Sequence, residues 1–411
     1  MNREGNGTYK TSTAGGESVR AYVPAPLPPV PPLDLTGARA VLLERATQAL
    51  GQLDGVASLL PDKWLFLYAY VRREAVLSSQ IEGTQSSLSD LLLYEIDQAP
   101  GVPLDDVAEV SNYIAALEHG VERLRSGFPL CNRLLREMHA KLMSGARGGD
   151  KEPGNFRRSQ NWIGGTRPGN ARFVPPPPEE VEASMGALEV FLNESQSLPA
   201  LLKAALAHVQ FETIHPFLDG NGRLGRLLIT LIIQHGGLLS EPLLYLSLHF
   251  KSHRPLYYEL LDRVRSHGDW EAWMDFFLEG VHETAKGAVQ TANNLAALFE
   301  KDLRLVNETG RAGQASLRAA FEALRARPIL NLAELAKASS LSFATASKAI
   351  EKLSALGIAR ELTGQRRNRL FVYSAYLHLL TNEEPPTATV EAESRAPGDM
   401  KTAPNLPFFS K

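Results

Sequence analysis

The sequence predicts a mainly α-helical protein that carries one β-hairpin and ends in a small winged helix. Apolar residues recur at helical spacing over about 34–120 and again over about 130–281. The second region is interrupted once, at 161–178, by a stretch rich in Gly, Pro and Asn that is typical of a short hairpin followed by a stiff connector. Three helical stretches and two short strands after residue 312 have the order of a winged helix.

The same patterns divide the chain into six segments. Residues 1–20 are polar and rich in glycine. Residues 24–35 are rich in proline, which locks φ and lacks a backbone donor, so this stretch is predicted to be an extended strap or linker. The last 35 residues are rich in Pro, Glu and Thr and too poor in apolar residues to pack, which predicts disorder. The full division is 1–35 N-terminal segment, 36–125 N-terminal helical region, 126–285 helical core, 286–312 connecting helix, 313–376 winged helix and 377–411 tail.

Length and composition exclude several classes of protein. Of the 411 residues, 44% are hydrophobic and 22% are charged, which is ordinary for a globular protein. The 43 basic and 46 acidic residues give a net charge of −3, so no overall field draws the chain to nucleic acid or membrane. Cys131 is the single cysteine, which excludes intramolecular disulfides and favours a cytoplasmic location. No apolar stretch approaches the ~18 residues that span a bilayer, so no membrane partner is expected.

One string, HPFLDGNGRLGR at 215–226, has the residue types of a phosphate-binding loop. It lies between two apolar stretches that are predicted to be helices. Gly220 and Gly222 permit turns that expose successive N–H groups, and the N-terminus of the following helix attracts anions. Arg223 and Arg226 are three residues apart, so both guanidinium groups lie on one side of that helix and can hold further phosphate oxygens.

Two other side chains of the string add chemistry to this anion site. Asp219 is a hard oxygen ligand suited to Mg²⁺, with phosphate oxygens completing the shell. His215 has the intrinsic pKa of a proton acceptor near neutral pH. A surface turn beside a helix cap has no need of the histidine and both arginines, so the string predicts a phosphoryl or nucleotidyl transferase.

The string resembles the signature of the Fic family, H-P-F-x-[DE]-G-N-G-R-x-x-R, and matches every fixed position. This family usually transfers AMP from ATP to a hydroxyl side chain of a protein target, so the resemblance implies a Fic fold, Mg²⁺ as cofactor, and ATP and a protein as partners. His215 would then deprotonate the target hydroxyl, and Asp219 would hold the metal between the α and β phosphates. The nucleotide would be gripped by Gly220, Asn221, Gly222, Arg223, Leu224, Gly225 and Arg226, with the two arginines on the β and γ phosphates.

Two further segments agree with this resemblance. The hairpin at 161–174 is similar to the family's flap, which aligns the target segment by strand addition. Four of its residues match the flap positions that approach the nucleotide: Ile163, Gly164, Gly165 and Thr166. Tyr257 and Tyr258 lie where relatives line the nucleotide pocket, although a tyrosine pair on an amphipathic helix is equally consistent with a core position.

The string Ser78-Ser79-Gln80-Ile81-Glu82-Gly83 resembles the inhibitory motif of the same family, [ST]-x-x-x-E-[GN]. Ser78 and Glu82 are four residues apart and so share one helix face, and Gly83 offers the helix a place to end. If this helix packs beside the catalytic loop, the Glu82 carboxylate would pair with Arg226 and take the place of the γ-phosphate. The alternative is a solvated glutamate at a helix end.

The C-terminal region leaves other functions open. Arg366, Arg367 and Arg369 in the predicted wing, with Lys348 and Lys352 on the predicted recognition helix, form a local basic patch that duplex DNA could use. The winged helix could instead pack within the protein or bind another protein. A regulator that only senses nucleotide would need no base, which argues against that function. Transfer of another phosphate-containing group, removal of AMP, and a homodimeric assembly stay open.

Overall fold

The computed structural model describes residues 3, 6–59, 63–95, 102–145, 149–194, 198–310, 313–363 and 369–381. They fall into two compact units. The first comprises Met1–Asn161 and Val174–Ala297, and the second comprises Trp162–Phe173 and Leu298–Lys411. No helix within the described ranges is both long enough and apolar enough to cross a membrane.

The first unit is built mainly of helices. In chain order these are α1 Ala38–Leu59, α2 Lys63–Ile81, α3 Leu88–Tyr94, α4 Leu104–Arg125, α5 Asn132–Leu142, α6 Pro178–Glu194, α7 Ala200–Ile214, α8 Asn221–His235, α9 Ser247–Ser252, α10 Arg254–His267 and the first part of α11 Trp270–Glu308. The mainly α-helical class predicted from periodicity is confirmed.

Helices α7 and α8 pack against each other, and the short loop between them is the predicted phosphate-binding string. Every residue from Ala204 to Ile214 is buried, as expected for a helix that is apolar on nearly all sides. The helix ends there because His215 adopts a left-handed conformation (φ 48°, ψ 60°) and a proline follows. Helix α8 starts after Gly220, whose φ of 74° suits a residue without a Cβ. The loop is therefore fixed between two buried helices.

The N-terminal segment contains a β-hairpin that the sequence did not predict. Strands β1 Gly7–Ala14 and β2 Glu17–Pro24 pair in antiparallel register, with Gly7 opposite Pro24. These strands precede the proline-rich stretch that is predicted to be an extended strap or linker, and residues 25–37 have no helix or strand. The alternation of apolar and polar residues that predicts a strand is weak here, because β1 is almost wholly exposed and polar and the buried residues lie mainly in β2.

Helix α11 runs without interruption from Trp270 to Glu308, a length of 39 residues. The predicted boundary between a core ending at residue 285 and a connecting helix at 286–312 falls inside this helix, as does the division between the two compact units after Ala297, so it stays a prediction. Amphipathic periodicity continues across that point, and no Gly or Pro pair marks a break.

The second unit contains the C-terminal elements. They are α12 Gln314–Ala326, β3 Ile329–Asn331, α13 Leu332–Ala338, α14 Phe343–Ala355, β4 Arg360–Glu361, β5 Leu370–Val372 and α15 Ser374–Thr381. The three strands form an antiparallel sheet in the order β3-β5-β4. The predicted order of three helices and two strands is present, with the unpredicted three-residue strand β3 after the first helix, and the winged helix stays a prediction. The centre of the predicted wing, 364–368, lies outside the described residues.

The predicted tail begins too early. Helix α15 continues to Thr381 and buries Leu377 and Leu380, so the prediction of disorder from residue 377 is wrong for these positions. The short helix follows β5 directly, and apolar side chains at three-residue spacing give it a buried face. Residues 382–411 lie outside the described part of the chain.

Residues 162–173 form a closed loop in place of an extended hairpin. Ile163 and Phe173 exchange backbone hydrogen bonds of 2.8 and 3.1 Å, and this is the one bridge described within the segment. A turn of 3-10 helix at Pro168–Asn170 follows, and the Asn170 Oδ1 accepts from the N–H of Thr166 at 3.0 Å. Backbone N–H groups of this loop are thus bonded by the Asn170 side chain, and strand-to-strand hydrogen bonds are described only between Ile163 and Phe173.

Candidate active site

The predicted base, His215, stands at the C-terminal end of α7 with 20% of its side chain exposed. Its Nδ1 has no hydrogen-bond partner among the described residues and lies 3.9 Å from the Glu212 Oε2. Burial, with smaller contributions from the Arg157 and Arg265 charges, lowers the pKa of His215 to about 3. The imidazole is therefore neutral at physiological pH, which is the form that accepts a proton.

Asn221 closes the loop that follows. Its Oδ1 accepts from the Phe217 N–H and its Nδ2 donates to the Phe217 carbonyl, both at 2.9 Å. This side chain is buried, so both bonds are shielded from water. The predicted role of Asn221 in gripping phosphate is better described as shaping the loop at the start of α8, where the first N–H groups of the helix favour an anion.

Asp219 projects from this loop with about half of its side chain, 51%, exposed. Its Oδ1 accepts from the Gly220 N–H at 2.6 Å, and its main-chain carbonyl accepts from the His139 Nε2 at 3.0 Å. Within the described ranges, no group of three or more His, Cys, Asp or Glu side chains is placed to hold a metal ion. A single carboxylate fits Mg²⁺ when phosphate oxygens and water supply the other ligands.

The two arginines of α8 are both buried, and each is paired with a carboxylate from an earlier helical segment. The Arg223 Nη1 lies 3.0 Å from the Glu109 Oε2 of α4. The Arg226 Nη2 lies 2.7 Å from the Glu82 Oε1, just after α2. Their side chains are only 5% and 2% exposed, so the solvent screens these pairs weakly.

Three hydrogen bonds fix the Arg226 guanidinium against the end of α2. Besides the bond to Glu82, its Nε donates to the Ser78 Oγ at 2.8 Å and its Nη2 donates to the Ser78 carbonyl at 2.9 Å. Burial opposes ionisation of Glu82, but the charge and hydrogen bond of Arg226 outweigh it, so the pKa of this carboxyl lies below its usual value. Ser78 and Glu82 thus reach the same guanidinium from one helix face, as their spacing predicts, and Gly83 follows with a φ of 107°.

The Glu82 carboxylate lies over the start of α8. A Cβ at Gly222 would collide with the Glu82 Oε1 and would lie 3.2 Å from the Arg226 Nη1. Only glycine leaves room for an anion so close to this helix N-terminus. The carboxylate therefore fills the space over the first turn of α8 between Gly222 and Arg226.

Comparison with known proteins now identifies these elements. Residues 40–122 match the model of the Fic/DOC family N-terminal domain, and residues 129–233 match that of the Fic/DOC family. The chain thus contains a Fic N-terminal domain and a Fic domain. The Fic N-terminal domain supplies Glu82 and Glu109, and the Fic domain supplies both arginines with which they pair.

Curated relatives and solved structures agree with this identification. Over 210 residues the chain is 30% identical to Protein adenylyltransferase Fic of Culex quinquefasciatus, covering 50% of this chain and 39% of that protein. Over 192 residues it is 29% identical to a probable protein adenylyltransferase of Aquifex aeolicus, covering 46% of this chain and 54% of that one. The chain thus spans about half or less of the length of these relatives.

The fold resembles that of a Fic family protein from Desulfovibrio desulfuricans G20. The TM-score is 0.55 at 20% identity, and the match covers 84% of this chain and 98% of that one. A Fic domain containing signaling protein from Bacteroides thetaiotaomicron gives a TM-score of 0.51 at 20% identity, over 61% of this chain and 97% of that one. These likenesses confirm the Fic fold predicted from the signature.

The predicted nucleotide contact of Tyr257 is wrong. Its ring is only 1% exposed and packs against Phe250 at 4.6 Å, and its hydroxyl lies 2.8 Å from the His208 Nε2. Tyr258 is half-buried, with its ring 5.1 Å from that of Tyr257, and its role stays a prediction. An amphipathic helix places neighbouring residues in different environments, so the pair could not share one role.

The four predicted flap residues lie in the loop closed by Ile163 and Phe173: Ile163, Gly164, Gly165 and Thr166. Asn161, the last residue before this loop, donates from its Nδ2 to the Phe217 carbonyl at 3.3 Å. The segment that leads into the loop is thus bound to the Fic signature.

Two histidines that the sequence reasoning missed also hold the site. His139 donates to the Asp219 carbonyl, accepts from the Gly154 N–H at 2.8 Å and stacks on Phe217 at 3.8 Å. Burial lowers its pKa to about 4, so it remains a neutral linker. His208 lies 3.0 Å from the Gly225 carbonyl and can only donate there, so its other nitrogen accepts from Tyr257.

A signal for part of this network was visible in the sequence. His208 and Glu212 are two of the buried polar residues on α7, a largely apolar helix, and they are one turn apart. Burial raises the pKa of Glu212 to about 7, and its Oε1 lacks a hydrogen-bond partner within the described structure. Polar residues inside an apolar helix indicate internal partners, although periodicity alone does not name them.

Proposed function

We propose that this Fic-domain chain transfers AMP from ATP to a Tyr, Thr or Ser hydroxyl of a protein target, including itself, and that Glu82 holds the transfer in check. The observation that supports this most directly is the pairing of a neutral His215 with an anion site at the start of α8. The curated relatives are named for adenylyl transfer, which favours AMP over another phosphate-containing group.

In the proposed reaction, His215 accepts the proton of the target hydroxyl as its oxygen attacks the α-phosphorus. A bond forms between that oxygen and phosphorus, and the bond from phosphorus to the bridging oxygen breaks, releasing pyrophosphate. The α8 N-terminus and the two buried arginines position the phosphates and neutralise their charge, which is the main contribution a protein makes to this kind of transfer.

Asp219 is the residue that would hold Mg²⁺. Its exposed carboxylate lies on the open side of the loop, as a ligand shared with nucleotide phosphates requires. When bound, the ion would stabilise charge on the phosphate oxygens. The Gly220 N–H donates to this carboxylate, and His139 holds the main-chain carbonyl of the same residue.

The proposed inhibition is a competition for one guanidinium. Arg226 is already bonded to Glu82, and the carboxylate fills the space over Gly222. A γ-phosphate cannot take the same place, so ATP would bind with its α-phosphate misaligned, and a 1 Å error can cost about 10²-fold in rate. Because 36% of the Glu82 side chain is exposed, a solvent-side partner could draw it away.

Intact-mass spectrometry of the Glu82→Gly protein after incubation with Mg²⁺ and ATP tests the proposed reaction. We expect a gain of one or more AMP groups, while the Glu82→Gly, His215→Ala double variant gains none. A gain of phosphate alone would replace AMP transfer by kinase activity. No gain on the chain or on any protein of a cytoplasmic extract would contradict the proposal. A cytoplasmic location is part of the proposal and rests on the single, half-buried cysteine.

A further inference from the structure

Arg157 is a fully buried arginine outside the Fic signature, with an exposed fraction of 2%. All of its described hydrogen bonds go to main-chain carbonyl oxygens. Its Nε donates to His215 at 2.9 Å, its Nη1 to Ser159 at 3.2 Å, and its Nη2 to Pro176 at 2.5 Å. A buried charge is costly, so this arrangement calls for an explanation beyond packing.

The first part of the explanation is the end of α7. Arg157 donates hydrogen bonds to three consecutive main-chain carbonyls there. Its Nη2 donates to the Ile214 carbonyl at 3.4 Å and its Nε to the His215 carbonyl, and its backbone N–H donates to the Pro216 carbonyl at 2.9 Å. The last carbonyls of a helix have no intrahelical partner, and a cation at this end is favoured by the helix dipole. Arg157 therefore caps α7 at the residue that carries the base.

That cap holds His215 in an unusual conformation. A left-handed φ of 48° is uncommon for a residue with a Cβ, and it persists only where the surroundings fix it. The carbonyls of residues 214–216 are all held by Arg157, so rotation of the His215 backbone would break several bonds at once.

The second part is the base of the 162–173 loop. Ser159 and Pro176 lie on the two segments that lead into and out of that loop, and Arg157 binds both. Gln160 joins the same two segments, because its Nε2 donates to the Pro175 carbonyl at 2.9 Å. The guanidinium thus lies where the two segments and the end of α7 converge.

Only arginine can make this set of contacts. Its planar fork carries five donors in fixed directions, whereas a lysine offers one compact ammonium group. Burial lowers the pKa of Arg157 to about 10, opposed by the Glu179 charge, so the guanidinium keeps its charge at neutral pH.

We propose that Arg157 is a positioning residue that fixes the catalytic histidine relative to both ends of the 162–173 loop. The base and the segment that would align the target then share one anchor. Transfer of a proton from a presented hydroxyl requires these two parts to keep a set distance, which a common anchor provides. This inference rests on the proposed function of His215.

The test compares Arg157→Lys with Arg158→Lys, both in the Glu82→Gly background. Arg158 is the next residue and is exposed, so it receives the same substitution without the buried contacts. We expect Arg157→Lys to lower kcat for AMP transfer at least ten-fold while the KM for ATP changes less than about three-fold. Arg158→Lys should have the same kcat and KM as the Glu82→Gly protein. Equal kcat for the two lysine variants, with an active parent, would overturn the inference and leave the proposed function standing.

Amide hydrogen exchange gives a readout that needs no activity. We expect Arg157→Lys to speed exchange in both 157–161 and 214–217, with α8 unchanged. Should this variant fail to fold, Gln160→Ala removes a bond at the base of the loop and leaves Arg157 itself in place, so any effect at the end of α7 must pass through Arg157. If the anchor is shared, Gln160→Ala speeds exchange at 214–217 as well as at 157–161. Faster exchange at 157–161 alone, in either variant, would overturn the shared anchor even if the parent transfers nothing.

Discussion

Arginines predicted to bind phosphate occur in two regions of this molecule, and in both regions the structure pairs them with glutamates. At the start of α8, Arg226 is 2% exposed and its partner Glu82 lies 144 residues away in sequence. In the C-terminal unit, Arg369 is 33% exposed and pairs with Glu361, eight residues away on the neighbouring strand. Glu351 lies 3.8 Å from the same guanidinium.

The two ion pairs differ in the burial of the arginine and in the sequence distance to its partner, and this difference indicates which pair is linked to function. An exposed local pair contributes little and is easily rearranged, so the pairing of Arg369 weakens the predicted basic patch without replacing it by a site. Lys352 donates to the Thr309 carbonyl at 3.2 Å, which leaves Lys348 as the exposed cation on α14. Arg226, in contrast, is buried and pairs with a residue from a distant segment, and burying such a guanidinium is costly, so this pair supports the proposed competition between Glu82 and the γ-phosphate.

The largest effect is expected at the base. His215→Ala, in the Glu82→Gly background, should lower AMP transfer by about 10²–10⁴-fold, because a positioned base contributes that much. Nucleotide binding measured by calorimetry should persist, since the imidazole faces the hydroxyl and not the phosphates. Transfer at the parental rate would show that His215 is not the base. The α8 region would then no longer differ in function from the C-terminal unit.

A somewhat smaller loss is expected at the metal ligand. Asp219→Ala should lower transfer by about 10²-fold and shift the Mg²⁺ titration to higher concentrations, because the ion loses its protein ligand. Asp262→Ala on α10, remote from the loop in sequence, serves as the matched control. A normal Mg²⁺ titration in the Asp219 variant would show that this carboxylate does not bind the ion.

Buried and exposed carboxyls should also differ in how they affect stability. Burial raises the pKa of Glu74 to about 7 from an ordinary 4.5, against the opposing hydrogen bond of Ser247 and charge of Arg226. Between these values the unfolded carboxyl has lost its proton while the folded one retains it, so wild-type stability falls as the pH rises through this window. The amide of Glu74→Gln does not ionise, so this variant should not lose stability over this pH window.

The measurement is thermal unfolding of Glu74→Gln and of Glu361→Gln, each against wild type, at pH 5 and pH 8. We expect the Tm of Glu74→Gln relative to wild type to be several degrees higher at pH 8 than at pH 5. Glu361→Gln, at a partly exposed ion pair, should change the free energy of unfolding by about 1 kcal/mol or less. An equal change of Tm between pH 5 and pH 8 in both variants would contradict the expected difference between the two carboxyls.

The smallest effect is expected from the C-terminal basic residues. Lys348→Glu should change AMP transfer by less than about two-fold, because α14 supplies nothing to the proposed site. Binding of wild type to duplex DNA at low salt is the accompanying measurement. Affinity that falls when Lys348, Arg366 and Arg367 are reversed, with a flatter salt dependence, would restore a regulatory function for this region.

The sequence predicted the parts of the site whose chemistry is local. The anion-binding character of the loop from His215 to Arg226 follows from residue type and spacing. The contact between Glu82 and Arg226 was expected from the resemblance to the family's inhibitory motif, and the structure shows this contact. Tyr257 shows the limit, since a tyrosine on an amphipathic helix faces either core or pocket and its spacing does not distinguish them.

Long-range polar contacts could not be predicted in this way. His139, Arg157 and Glu109 reach the site from other helices and loops, and their partners are mostly backbone carbonyls or residues more than 50 positions away. Backbone partners leave no mark in the sequence pattern. The N-terminal hairpin was missed for a related reason, because its outer strand is polar and its pairing is set by the turn.

The central claim is that Glu82 competes with the γ-phosphate for Arg226. The most direct measurement is the initial rate of AMP transfer at saturating ATP for wild type, Glu82→Gln and Glu82→Gly, with the same target. We expect Glu82→Gly to exceed wild type at least ten-fold, equivalent to about 1.4 kcal/mol of barrier, and Glu82→Gln to lie between them, because it keeps the bulk but loses the charge. Equal rates for all three proteins, with a competent target, would contradict the claim and reduce Ser78 to Gly83 to a helix end.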